Sequence, residues 1–277
     1  MTNTTGAAQD WSAVADAWDT HVDYVDEHSS AETNALLDRI AVQPGERVLE
    51  LASGPGSLGA RLSALVGPTG SVVLSDIAPG MVDVAARRNA HLDNVTTAVI
   101  DVSAIDRPDN SFDAVVCRMG LMFTLEPSVA FAEMKRVLDA NGRLGALTWG
   151  GIEHNPWMTC VGMSAMMNGL VSGGPPVGAG GIFSLSDPAA LEALATAAGF
   201  VDVKVEAFDI AFRSPDIDTH LARVSSLAGP MAAVFAAATP EQLAAVRRTS
   251  ADLSAQYATD DGLVIPGRAN LLTARVT

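Results

Sequence analysis

The stretch VLELASGPGSLG, residues 48–59, decides the fold expected for this chain of 277 residues. It closes a short apolar strand and continues into Gly54, Gly56 and Gly59, spaced as GxGxxG at the start of a helix. Asp76 follows 22 residues after Gly54, at the end of the next apolar run. Glycines let the backbone approach a ligand closely, and a carboxylate in this position accepts hydrogen bonds from ribose hydroxyls. The pattern therefore predicts a binding site for an adenosine-containing cofactor.

Apolar strands and helices alternate outward from this loop. The predicted strands are 47–51, 72–74, 96–100, 112–117, 144–149, 201–212 and 271–276. The predicted helices are one or two within 11–40, then 57–66, 79–89, 128–138, one ending at Gly199 and the alanine-rich 215–257. This alternation favours an α/β fold, a Rossmann-like doubly wound sheet with helices on both faces. We expect the sheet to be mostly parallel with an antiparallel final strand, and to carry helical lid insertions.

The length suits a single domain covering residues 1–277. Within it we expect an N-terminal helical cap at 1–46, a cofactor-binding core at 47–149 and an acceptor and lid region with closing strands at 150–277. The polar start from Met1 to Asp10 lacks the pattern of a secretory signal and is expected to be a disordered tail. Ser186 is the predicted N-cap of the helix that ends at Gly199.

Charge and cysteine content narrow the range of partners. There are 32 Asp and Glu residues against 17 Lys and Arg, a formal charge of −15 that would repel nucleic acid or an anionic membrane. The two cysteines, Cys117 and Cys160, have neither metal-ligand nor CxxC spacing, so we expect no metal site and a cytoplasmic location.

One uncharged stretch, from Asn155 to Ser186, has the length of a membrane span. Glycines and prolines interrupt its second half and leave too short an apolar helix, so we expect no stable membrane insertion. The interrupting residues are Gly169, Gly173, Gly174, Pro175, Pro176, Gly178, Gly180 and Gly181. This interruption of the alternating pattern is the predicted lid.

The loop and its surroundings resemble class I S-adenosylmethionine-dependent methyltransferases. The first motif of that superfamily has an acid before three alternating glycines; Glu50 matches the acid, and Ala52 stands where the first glycine would fall. Asp76-Ile-Ala-Pro-Gly-Met81 is similar to the second motif and Ile100-Asp-Val102 to the third. The stretches 109–113, 131–138 and 141–143 resemble the ubiquinone/menaquinone-biosynthesis type. The resemblance is strong from Arg47 to Trp149.

The resemblance implies S-adenosylmethionine as cofactor, S-adenosylhomocysteine as product, and roles for individual residues. Asp76 would hold the ribose, with Ile77 beside the adenine and Met81 nearby. Asp101 would bind the adenine amino group, and the amide of Val102 a ring nitrogen. The full set implied to bind the cofactor is Glu50, Ala52, Ser53, Gly54, Gly56, Asp76, Ile77, Met81, Asp101, Val102, Arg118 and Met119.

The implied reaction is direct in-line transfer of a methyl group to a small molecule, in which positioning supplies most of the catalysis. A phenol or enol acceptor needs a base, and among the five histidines His154 is the candidate because it follows the fifth strand. Seven of the ten methionines lie between Met119 and Met167, which favours an adaptable pocket for an apolar or aromatic acceptor, although core packing explains them equally well. The acceptor-wall candidates are Met122, Phe123, Trp149, Trp157, Met163 and Met166.

Two other classes of protein fit the glycine loop. An NAD(P)-dependent oxidoreductase would use the same features, but neither tyrosine, Tyr24 or Tyr257, has the lysine four residues on that short-chain dehydrogenases require. A non-catalytic Rossmann-like cofactor-binding protein stays open, because methyl transfer has no obligatory catalytic side chain whose absence would reveal it. The chain would act on its small-molecule acceptor as a monomer or a homodimer.

Overall fold

A computed structural model describes residues 4–172 and 176–277 and contains one mixed β-sheet. Its strands are β1 (Arg47–Leu51), β2 (Ser71–Asp76), β3 (Val95–Val99), β4 (Phe112–Arg118), β5 (Leu138–Trp149), β6 (Val201–Ser214), β7 (Ala258–Thr259) and β8 (Gly262–Arg275). The order across the sheet is β3-β2-β1-β4-β5-β8-β6, with β7 paired to β8. Strands β1 to β5 are parallel, whereas β8 is antiparallel to both β5 and β6. The predicted Rossmann-like sheet with an antiparallel final strand is confirmed.

Helices precede the sheet, connect its strands and follow it. They are α1 (Thr4–Ala13), α2 (Ala15–Thr20), α3 (Val22–His28), α4 (Ser30–Ile40), α5 (Gly59–Val66), α6 (Pro79–Asn89), α7 (Pro127–Val137), α8 (Pro156–Met167), α9 (Pro188–Ala197), α10 (Ile217–Leu227), α11 (Pro230–Ala236) and α12 (Pro240–Ser254). Because side chains alternate along a strand, β1 supplies both faces of the sheet. Val48 packs with Leu36 of α4, whereas Leu49 packs with Phe131 of α7. The core therefore consists of two apolar layers separated by the sheet.

The closing strand is much longer than predicted. Trp149, the last residue of β5, pairs with Ala269, whereas β8 begins at Gly262 and pairs with β6 along almost its whole length. Residues 263–268 and their partners in β6 thus form an antiparallel ribbon that projects beyond the end of β5, and β7 pairs with residues 262 and 263 at its far end. This ribbon lies beside the carboxyl edge of the parallel strands, where open α/β sheets bind ligands.

Strand β5 also differs from the prediction at its start. The helix expected to reach Leu138 ends at Val137, and the strand expected to begin at Leu144 begins at Leu138. Phe112 of β4 pairs with Leu138 but Ala114 pairs with Arg143, so residues 139–142 form a bulge. Asn141 has φ +64°, a left-handed conformation that asparagine tolerates better than most residues.

The prediction of a disordered tail from Met1 to Asp10 is wrong for residues 4–10, which belong to α1. Residues 1–3 lie outside the described part of the chain. Tertiary contacts hold this helix: Trp11 packs edge-on against Phe123 with ring centroids 5.0 Å apart, and Ser12 Oγ accepts a hydrogen bond from the Gly80 amide at 3.1 Å. Such contacts between distant parts of the chain leave no local sequence signal.

The predicted cap at Ser186 is wrong by one residue. Asp187 is the N-cap of α9, and its side chain accepts the Ala189 amide hydrogen at 2.9 Å, because Pro188 occupies the first helical position. In the predicted lid, helix α8 is followed by turns and bends. Three residues of this lid, Gly173, Gly174 and Pro175, lie outside the described part of the chain. No helix in the described ranges is both long and apolar enough to cross a membrane.

Candidate functional site

The three glycines of the loop, Gly54, Gly56 and Gly59, have different structural roles. At Gly54, with φ +54°, an added Cβ would meet nothing within 4 Å, so this position borders open space. At Gly56 a Cβ would lie 2.8 Å from that of Ala85, and at Gly59 it would lie 2.2 Å from the side-chain oxygen of Asn89. Only Gly54 therefore offers room for a ligand, whereas the other two allow the loop to pack against α6.

Asp76, at the end of β2, is 7% exposed and holds the loop in place. Its Oδ2 accepts the amide hydrogen of Gly54 at 3.0 Å, and its Oδ1 accepts that of Ala78 at 2.9 Å. Burial raises the pKa of this carboxyl, and the amide hydrogen bonds act in the opposite direction. The loop and the acid, 22 residues apart, thus form one unit, as the spacing predicted.

The ends of β2 and β3 are joined beside this unit. The Ile100 amide donates to the Asp76 carbonyl at 3.0 Å, which places Asp101 and Val102 next to the end of β2. Asp101 Oδ1 accepts the amide hydrogen of Ser103 at 2.8 Å, and Asp101, Val102 and Ile77 are all half-buried. The motif residues on β1, β2 and β3 therefore meet at one edge of the sheet.

Ala52 adopts the left-handed conformation expected of the glycine that it replaces, with φ +50°. Its methyl group has space because residue 120 is a glycine: a Cβ on Gly120 would lie 2.1 Å from that of Ala52. The departure from the motif is thus matched by a small residue after β4. Met119, which precedes Gly120, also has a positive φ, +58°.

Glu50 and Ser53 are buried beside the loop, and among the described residues neither side chain has a hydrogen-bond partner. Burial raises the pKa of Glu50 from its ordinary value of 4.5 to about 8, and the smaller attraction of Arg118 acts the other way. An acid in this state readily accepts a hydrogen-bonding or cationic ligand, since a buried polar group without a partner is costly.

Arg118, at the end of β4, connects the loop to the N-terminal helices. Its guanidinium lies 2.8 Å from the Asp26 carboxylate on α3, and both groups hydrogen-bond to the Ser57 hydroxyl. The Arg118 side chain is only 11% exposed. Asp26 and Ser57 were missed by sequence reasoning, because nothing in the sequence marks a contact across 92 residues.

Two of the methionines assigned to the site lie within packed cores. Met81 is 2% exposed and packs in a cluster with Val14, Ala15 and Val84, so it joins α6 to the N-terminal helices. Met122 has no exposed surface and belongs to the large core on the α7 face.

The acceptor-wall candidates do not form one group. Trp149 and Trp157 contact each other with centroids 5.2 Å apart, and Trp157 stacks on Phe212 of the β6–β8 ribbon at 3.9 Å. Phe123 packs instead against Trp11. On α8, the Met163 side chain is 48% exposed and Met166 is half-buried.

The aromatic group at the end of β5 contains further members that were not among the predicted acceptor-wall residues. His28 stacks on Phe212 with ring planes 7° apart, and Tyr24 lies 4.2 Å from the His28 ring. We call Tyr24, His28, Trp149, Trp157 and Phe212 the aromatic cluster. Its members come from α3, β5, α8 and β6, so only the folded chain brings them together.

His154 follows β5, as predicted, but its surroundings differ from those of a buried base. The side chain is 43% exposed and lies 3.3 Å from the Glu153 carboxylate. It borders a cleft of about 310 Å³ that is also lined by Asp209, Tyr257 and Arg268. In the described parts of the chain, no group of three or more His, Cys, Asp or Glu side chains has the arrangement of a metal site.

Comparison with known proteins agrees with this geometry. Residues 48–142 match the family model described as "Methyltransferase domain". The chain is 39% identical over 123 residues to the ubiquinone/menaquinone biosynthesis C-methyltransferase UbiE of Erwinia tasmaniensis, covering 43% of this chain and 49% of that protein. It is 42% identical over 113 residues to UbiE of a Pseudomonas putida strain, covering 39% and 43%. The match thus spans about half the length of these relatives, or less.

Solved structures share the fold across most of the chain. The YcgJ protein of Bacillus subtilis has a TM-score of 0.60 at 17% identity, covering 88% of this chain and 97% of that one. Phosphoethanolamine N-methyltransferase 2 of Haemonchus contortus, solved with S-adenosyl-L-methionine, has a TM-score of 0.54 at 20% identity, covering 88% and 52%. Residues 48–142 therefore match a methyltransferase domain in sequence, and over that part of the chain the predicted resemblance to class I S-adenosylmethionine-dependent methyltransferases of the ubiquinone/menaquinone-biosynthesis type is confirmed.

Proposed function

We propose that this protein binds S-adenosylmethionine at the carboxyl edge of β1 to β4 and transfers its methyl group directly to a small apolar or aromatic acceptor. One observation carries the proposal: the open face of Gly54 lies beside a buried carboxylate, Asp76, that is hydrogen-bonded to the Gly54 amide. A ligand can approach the backbone there and meet a hydrogen-bond acceptor for its ribose. S-adenosylhomocysteine would leave from the same site.

Asp76 is suited to the ribose because each of its carboxylate oxygens accepts one amide hydrogen and has further acceptor capacity. Asp101 and Val102 follow the neighbouring strand and would meet the adenine edge, with Ile77 against the ring. The half-buried state of these three residues suits a site that a ligand completes.

Glu50 and Ser53 fit the other end of the cofactor. Both have buried side-chain oxygens with no partner among the described residues, next to the loop. S-adenosylmethionine carries an ammonium group and a sulfonium, and a buried carboxylate without a partner is stabilised by a cation. When bound, the cofactor supplies a methyl group already activated by its positive sulfur.

The N-terminal helices would close the site. The Arg118–Asp26 ion pair and the Ser57 hydroxyl fasten α3 to the glycine loop. A closed cap keeps water out and holds nucleophile and methyl group in line, which is the main source of catalysis for a donor of this kind. The roles of Ala52, Gly56, Met81 and Met119 would be to shape and support this region rather than to bond to the ligand.

The acceptor is proposed to be flat and apolar. The aromatic cluster offers stacked ring surfaces near the end of β5, and a formal charge of −15 disfavours a polyanionic substrate. The relatives are named for the biosynthesis of ubiquinone and menaquinone, and a quinone is a flat ring, which supports this class of acceptor.

Titration calorimetry with S-adenosylmethionine, S-adenosylhomocysteine and NAD tests the proposal. We expect the first two to bind and NAD to bind at least tenfold more weakly, a difference of about 1.4 kcal/mol. A preference for NAD would favour the oxidoreductase alternative and refute the proposal. Tight binding of S-adenosylmethionine with no methylation of any apolar aromatic acceptor would favour the non-catalytic alternative.

A further inference from the structure

The ring of His28 has a hydrogen-bonding state that is set by its own helix. Its Nδ1 lies 2.7 Å from the carbonyl oxygen of Tyr24, one turn earlier on α3. A carbonyl oxygen can only accept, so the hydrogen of the neutral ring is on Nδ1. Nε2 then carries a free lone pair, the form required of a base.

That lone pair has no partner in the described part of the chain, although Nε2 is buried. The ring packs against two others: it stacks on Phe212 with centroids 5.7 Å apart, and its centroid lies 4.2 Å from that of the Tyr24 ring. A buried acceptor that its own chain leaves unpaired is costly unless a ligand donates to it. The structure therefore holds a proton acceptor inside the aromatic cluster.

Helix α3, which carries His28, also reaches the cofactor loop, because its Asp26 binds both Ser57 and Arg118. Helix α3 thus joins the loop proposed to hold the methyl donor to the aromatic cluster proposed to hold the acceptor. His154 has a different setting, since it is partly exposed and faces Glu153.

We propose that His28 is the catalytic base of this enzyme, and that its Nε2 accepts a hydrogen bond from the hydroxyl group of an aromatic acceptor and then takes the proton. This inference rests on the proposed methyl transfer. A bond forms between the hydroxyl oxygen and the methyl carbon as the carbon–sulfur bond breaks with its electron pair left on sulfur. The positive charge lost from the sulfonium appears on the His28 imidazolium, which releases the proton to solvent after the product leaves.

The ring state can be measured without a substrate. In the full-length protein labelled with ¹⁵N-histidine, two-bond ¹H–¹⁵N spectra at pH 7.5 identify the tautomer of each ring, and the signals lost in His28→Phe assign His28. We expect Nδ1 protonated and Nε2 bare. A ring protonated on Nε2 would overturn the proposal.

Binding distinguishes the hydroxyl from the rest of the ligand. With S-adenosylhomocysteine present, quenching of tryptophan fluorescence compares 1-naphthol with 1-methoxynaphthalene, which cannot donate a hydrogen bond. One hydrogen bond favours 1-naphthol by roughly 2- to 10-fold. We expect this preference in the wild type and in the control His91→Phe, which makes the same replacement at an exposed position, and its loss in His28→Phe, which keeps an aromatic ring.

Equal affinity for the two probes in the wild type, no binding of either, or a preference that survives in His28→Phe would overturn the role of His28. Circular dichroism and thermal unfolding show whether His28→Phe is folded; if it is not, His28→Gln replaces it in both experiments. Calorimetry with S-adenosylmethionine alone separates this inference from the proposed function: if the cofactor does not bind, the methyl transfer itself is refuted.

Discussion

Replacing Glu50 by Gln changes how the stability of the protein depends on pH. Burial raises the pKa of this carboxyl from 4.5 to about 8, so between these values the folded protein keeps a proton that the unfolded chain has lost. The folded state then binds more protons, and the free energy of unfolding falls as the pH rises. The Glu50 contribution is therefore unfavourable above about pH 4.5 and reaches its full size above about pH 8.

The size follows from the two pKa values. One pKa unit corresponds to about 1.4 kcal/mol, so the full effect is about 5 kcal/mol, of which about 3 kcal/mol develops between pH 6 and pH 9. Glutamine has nearly the same shape and no charge at any pH. Between pH 6 and pH 9 we therefore expect the free energy of unfolding to fall by about 3 kcal/mol more in the wild type than in Glu50→Gln.

Urea unfolding followed by circular dichroism at pH 6, 7.5 and 9 measures the difference. Glu192→Gln, the same replacement at an exposed position on α9, is the control and should follow the wild type. Parallel pH dependences of wild type and Glu50→Gln would refute the argument that the Glu50 carboxyl is buried and unpaired.

Three further changes test the site and its supports. Asp76→Ala should weaken S-adenosylmethionine binding by about 1–3 kcal/mol in calorimetry, because ribose hydroxyls lose an acceptor; unchanged affinity would remove Asp76 from the site. Gly120→Ala should lower the free energy of unfolding in urea by about 1–3 kcal/mol, since its Cβ would lie 2.1 Å from that of Ala52. Adding Ala52→Gly should restore most of the loss, and a double variant no more stable than Gly120→Ala would refute that explanation. His154→Ala should keep turnover within tenfold with any acceptor that the wild type methylates, whereas loss of a general base costs about 10²-fold or more.

The parts of the fold predicted well are those that short sequence patterns determine. Strand β1 has the predicted limits because its apolar run ends at the glycine loop. Helix α6 also has the predicted limits, because Pro79 occupies its first turn. The position of Asp76 beside Gly54 follows from topology, since parallel strands end at the same edge of the sheet.

The rest depends on contacts between distant residues. Strand β8 is more than twice as long as predicted because its first half extends beyond β5 and pairs mainly with β6, in a stretch where Pro266 and Gly267 weaken the strand signal. The Asp26–Arg118 ion pair and the aromatic cluster join segments far apart in sequence. Neither local periodicity nor motif spacing contains that information, so the N-terminal cap was predicted but the contacts of Asp26 and His28 within it were not.

A crystal structure of the full-length protein with S-adenosylmethionine tests the central claim most directly. We expect electron density for the ligand over Gly54, with the ribose hydroxyl oxygens within about 3.0 Å of the Asp76 carboxylate oxygens, the upper end of the range for O–H···O hydrogen bonds. Ligand density elsewhere on the molecule, or none at a saturating concentration that calorimetry has established, would contradict the account.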